Sequence, residues 1–188
     1  MKIHQLQASY QMEQDRVLVR LNTLSGEELR LWLTRRLIRN LFPHMMQAAT
    51  ALTDTQAPLV SHDGADRAAL TQFRKQESLQ QADFDTPFNT EASVLPMGKE
   101  PLLATAVHIT PSEDGSLRIG FEEKIPDTAG VRSFEVTLDP PLLHGFMHLL
   151  ELTLKHADWG IQLVKQNPPN DAHAMDAFAA AEPPKYLN

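Results

Sequence analysis

His144, His148 and Glu151 stand at spacing i, i+4, i+7 in a stretch whose apolar residues recur at helical intervals. On a helix turning about 100° per residue, the three fall within about 60° of one another. Two imidazoles one turn apart, with a carboxylate beside them, can hold a divalent cation. The His-Glu-x-x-His pattern of zinc hydrolases is absent, because Gly145 follows His144. An apolar stripe of Leu143, Phe146, Met147, Leu150 and Leu154 runs beside the histidines. The preferred expectation is therefore a polar helix edge, and a metal site is the alternative.

A second constellation is cationic. Arg35 and Arg36 open a helical stretch, Arg39 follows one turn later, and Arg30 and Trp32 precede them. Cations at a helix N-terminus oppose its dipole by about 0.3–1 kcal/mol each when exposed. Something should offset that cost. Glu27, Glu28 or an acid from the second half of the chain would do so internally, and this is the preferred expectation. The alternative is an external anion gripped by guanidinium forks and free backbone amides.

Nucleophilic and phosphate-loop chemistry finds no support. The chain contains neither Gly-x-Ser-x-Gly, nor Gly-x-Gly-x-x-Gly, nor a Gly-x-x-x-x-Gly-Lys-Ser/Thr loop. Ser61-His62-Asp63 are adjacent in sequence, whereas triads meet through folding, so they read as a loop and a helix cap. The absence of cysteine excludes disulfides, thiolate nucleophiles and cysteine-ligated metals.

Charge narrows the partners. The net charge is −7, yet residues 1–50 carry seven basic against four acidic side chains, and the remainder ten against twenty. An acidic whole argues against a general nucleic-acid coat and leaves room for a local basic patch. No run approaches the roughly 20 apolar residues of a membrane span, and the N-terminus alternates like a strand instead of carrying a signal's apolar block. A cytoplasmic protein with no membrane association and no cofactor is the expectation.

The elements that must position these residues come in an order that repeats. Alternation predicts strands over 2–10, 15–22 and 27–33, followed by a helix capped by Thr34. Pro43 lies inside that helix and predicts a kink or a break into two. Asp63 could cap a second helix over 64–82, and the proline-rich 83–101 should wander with little regular structure. Strands then recur from Leu103 to Ile109, from Leu117 to Phe121 across an Asp114-Gly115 turn, and from Phe134 to Leu138. Asp139 caps the last helix, with Pro140 at the favoured first position. At an offset of 105 residues, Leu29, Leu31 and Leu33 match Phe134, Val136 and Leu138, and the helix stripes match likewise.

The expected fold is α+β: two pseudo-repeated β-β-β-α units sharing one core, each an antiparallel meander followed by a helix. The units are 1–53 and 102–166, separated by a helix-and-loop insertion at 54–101 and followed by a flexible tail at 167–188. For function the leading expectation is a non-enzymatic interaction or adaptor protein with a protein partner; the repeat device could extend to a homodimer. The alternatives are an anion or nucleic-acid binder through Arg30, Trp32, Arg35, Arg36 and Arg39, and a metal site at His144, His148 and Glu151. Nucleic acid is the less favoured partner.

Overall fold

The computed structural model describes residues 3–56, 72–73, 76–77, 80, 86–90, 94–124 and 130–160. Strand β1 (Ile3–Gln11) turns through a short 3-10 segment at Met12–Gln14 into β2 (Arg16–Thr23), and β3 (Glu28–Thr34) leads directly into α1 (Arg35–Gln56). A two-residue strand, β4 (Leu102–Leu103), precedes β5 (Ala106–Pro111), β6 (Leu117–Lys124), β7 (Val131–Leu138) and α2 (Pro140–Ala157). The protein is α+β, with one four-stranded sheet, β1-β2-β3-β4, one three-stranded sheet, β5-β6-β7, and two long helices.

Both sheets are amphipathic for the reason alternation gives: successive side chains leave opposite faces. Val17, Val19 and Leu21 of β2 join Leu29, Leu31 and Leu33 of β3 on a buried face, as do Leu117, Ile119 and Phe121 with Val136 and Leu138 in the second sheet. Ile38, Leu41, Phe42 and Met45 of α1 and Leu143, Phe146, Met147 and Leu150 of α2 complete one core cluster. Each helix packs beyond its own strand. α1 touches β3 and β5, and α2 touches β7 and β1. Thr153 of α2 brings its hydroxyl to 3.3 Å from the Ala8 carbonyl, covering part of the β1 edge.

Both helix starts follow their caps. The Thr34 hydroxyl accepts from the Leu37 amide at 3.3 Å, and the Asp139 carboxylate accepts from the Leu142 amide at 2.9 Å. Asp158, at φ 49°, ends α2 in a left-handed turn.

Four expectations need correction. Of the kink or break expected at Pro43, the break does not occur: α1 runs unbroken from Arg35 to Gln56, its apolar stripe anchored on the core on both sides of the proline. The first sheet is not a pure three-stranded meander, since β4 adds parallel to β3 with Leu31 opposite Leu102. The strand expected from Leu103 to Ile109 is bent, not straight. Ala104 donates to the Trp32 carbonyl in the first sheet, and Thr105 donates to the Glu122 carbonyl in the second. The inward phase accordingly changes from Leu102 and Ala104 to Val107 and Ile109.

The fourth correction concerns 83–101. Its described part has little regular structure, as expected, but it is docked. Glu28 donates to the Val94 carbonyl at 2.8 Å, and Val94 donates to Gly26 at 3.1 Å. Arg132 donates to the carbonyls of Met97 and Glu100, both at 2.8 Å. Of the helix expected over 64–82, positions 72, 73, 76, 77 and 80 are helical and the others lie outside the described residues. So do the apolar piece at 161–164 and the tail at 167–188.

Candidate binding face

The side of the first sheet that looks away from the helices is polar, and its pairing register sets side chains in rows. Gln5, Asn22 and Glu28 form one row; Gln7, Arg20 and Arg30 the next; then Ser9, Leu18, Trp32 and Leu103; then Gln11, Arg16 and Thr34. Arg20 and Arg30 therefore face each other across β2 and β3, an unfavourable pairing of like charges. Glu28 resolves it. One carboxylate oxygen, Oε1, accepts from Arg20 Nε at 2.7 Å and from Arg30 Nε at 2.6 Å.

The Glu28 side chain is only 2% exposed, whereas Arg20 and Arg30 keep 16% and 31% of theirs. Burial pushes the Glu28 carboxyl up, but the hydrogen bonds and charges of the two arginines outweigh it and hold it below the ordinary glutamate range. The Arg30 guanidinium is correspondingly held more firmly protonated by its bond to Glu28. Two guanidiniums are thus fixed in orientation on rigid strands, with a partly buried apolar row of Leu18, Trp32 and Leu103 beside them.

Part of this face is already covered by the chain itself. Gln5 donates to the Pro87 carbonyl at 3.3 Å and accepts from the Asn89 amide at 2.9 Å. Asn22 donates to the Asn89 carbonyl at 2.9 Å. Between them the Phe88 ring lies 4.5 Å from the Arg20 guanidinium carbon, a cation–π contact.

The arginines singled out from the sequence divide between two places. Arg30 and Trp32 belong to this face. Arg35 turns instead to the end of α2, where it donates to the Trp159 carbonyl at 2.5 Å. There Asp15, at φ 48° in the β1–β2 turn, accepts from the Tyr10 hydroxyl at 2.9 Å and the Trp159 indole at 2.5 Å. Bonds from Trp159 and Tyr10, with the Arg35 charge nearby, hold the Asp15 carboxyl below its ordinary range. The Tyr10 and Trp159 rings meet edge to face at 5.6 Å. The helix-opening cost of Arg35 is thus offset within the chain, by Asp15 and a carbonyl and not by Glu27 or Glu28. Arg36 and Arg39 are exposed and make no ion pair among the described residues.

On α2, His148 Nδ1 and Glu151 Oε2 approach to 3.9 Å, while His144 is buried. Among the described residues, no group of three or more His, Asp or Glu is arranged to hold a metal ion. No described helix is long and apolar enough to cross a membrane.

The sequence singles out Arg30 and Trp32 of this face, but not Glu28 as the acceptor that Arg30 shares with Arg20, nor Gln5, Asn22 and Phe88. The signal available was the same-parity run Glu28, Arg30, Trp32, which puts an acid and a base two residues apart on one face. No protein-family model, curated protein or solved structure matches the chain.

Proposed function

We propose that this is a non-enzymatic, cytoplasmic interaction protein whose partner surface is the outer face of the first sheet. The observation that carries the reading is the juxtaposition of a partly buried apolar row, Leu18–Trp32–Leu103, with guanidiniums fixed by the buried Glu28. Trp and Arg are the residue types that most often dominate binding energy when fixed and partly desolvated. The opposite face is already filled by the two helices, which leaves this one for a partner. The order of elements and the reciprocal packing of α1 on β5 and α2 on β1 support a duplicated β-β-β-α unit arranged about a pseudo-twofold axis. A homodimer built on such a device is a further expectation.

The second reading, an anion or nucleic-acid binder, draws on Arg36 and Arg39 at the start of α1, exposed and without an ion pair among the described residues. One experiment separates the two: affinity capture of the tagged full chain from its native host, with and without nuclease. The expected result is a protein partner that survives nuclease and Arg36→Gln/Arg39→Gln and is lost on Trp32→Ala, with each variant's fold checked by circular dichroism. A catch lost with nuclease or with the helix arginines, and indifferent to Trp32, would favour the second reading.

A further inference from the structure

The segment Pro87–Asn89 lies on the candidate face as a peptide lies on a receptor. Side chains of the first sheet grip its backbone at two residues: Gln5 takes the Pro87 carbonyl and the Asn89 amide, and Asn22 takes the Asn89 carbonyl. Such a clamp recognises extended backbone and is indifferent to the side chains at the two gripped residues. The residue between them supplies selectivity, because the Arg20 guanidinium sits over its ring. Arg20 is itself fixed by Glu28 and reaches Gln7 at 3.4 Å, so the ring meets a preorganised cation.

The fit of this resident segment is incomplete. Asn22 is 6% exposed, and its Oδ1 meets no hydrogen-bond donor among the described residues. Its amide orientation is fixed by two acceptors facing Nδ2, the Asn89 carbonyl at 2.9 Å and Gln5 Oε1 at 3.4 Å, so Oδ1 cannot exchange places with it. A buried acceptor without a donor is a standing cost that a better-matched ligand removes. Pro87 and Asn89 are exposed and Phe88 only half-buried, so the segment can be lifted without opening the core.

We infer that Pro87–Asn89 is a resident stand-in, and that the face takes in its place an extended partner segment carrying an aromatic residue between two backbone-gripped positions. This inference rests on the reading of the outer face as the partner surface, and it adds the chemistry of the partner and the element that competes with it.

The test uses the full chain and a capped peptide of sequence Thr-Pro-Phe-Asn-Thr, that of residues 86–90, titrated against wild type and Phe88→Ala. The readout is the ¹⁵N–¹H shifts of the Gln5 and Asn22 side-chain amides. Vacating the site should tighten apparent binding by roughly tenfold or more, since an occupied site binds only in its open fraction. Adding Arg20→Gln, or replacing the peptide's Phe by Ala, should abolish the shifts. Should the alanine variant unfold, Phe88→Leu keeps apolar cover while losing the ring. Equal binding to wild type and the vacated variant, or binding indifferent to Arg20, overturns the inference. In that event, partner capture still lost on Trp32→Ala leaves the outer-face reading standing, whereas capture indifferent to Trp32 removes both.

Discussion

Arg20 and Arg30 stand opposite each other on adjacent strands and donate to the same oxygen of Glu28. Both guanidiniums are tied to one buried point, since the acceptor they share is buried and its backbone amide donates to the Val94 carbonyl. The arrangement turns two repelling charges into one rigid cationic unit on a sheet surface.

Removing the shared acceptor's charge should be costly. Glu28→Gln leaves two opposed guanidiniums and weakens two charge-assisted bonds, a loss of about 2–4 kcal/mol. In an Arg30→Met background the same change should cost less, because one repulsion has gone. Urea unfolding of the two single variants and the double variant measures that coupling.

Stability should fall in acid for a traceable reason. Glu28 has a folded pKa below its unfolded value, and so does Asp15. Their contributions are complete above the unfolded carboxyl values of about 4 and are lost as pH falls through the depressed folded values. The urea midpoint should therefore decline below about pH 5, and Glu28→Gln should flatten that decline.

Pro43 lies in the interior of α1, where it removes a backbone donor without ending the helix. Pro43→Ala restores that donor and should raise stability by about 1–3 kcal/mol, visible as a higher thermal midpoint. A lower midpoint would mean that the proline ring packs better than the restored hydrogen bond.

The three helix arginines should separate cleanly. Arg35→Gln loses the anchor to the Trp159 carbonyl and should lower stability more than either of the other two. Arg36→Gln and Arg39→Gln, exposed and without ion pairs among the described residues, should stay within about 0.5 kcal/mol. Thermal denaturation of the three variants checks the order.

Much of the fold was legible because it is local. Val17, Val19 and Leu21 alternate, Thr34 and Asp139 cap, and the stripe from Ile38 to Met45 has helical spacing; each signal lies within a few residues. The bend at Ala104–Thr105 was not legible, because a strand that changes sheets keeps its apolar residues and alters only their phase. The site was half legible for a related reason. Arg30 and Trp32 declare their shared face by parity, but Arg20 meets Arg30 only through a pairing register that no short stretch encodes. Phe88 comes from a segment 68 residues further along, and nothing in its neighbourhood points to Arg20.

The most direct test of the outer face as partner surface is site-specific photocrosslinking in the native host. A benzophenone amino acid at position 18, in the apolar row, is compared with one at position 36, on α1. The expected result is a nuclease-resistant protein adduct from position 18 and none from position 36. Adducts from position 36 alone would contradict the account and place the contact on the helix.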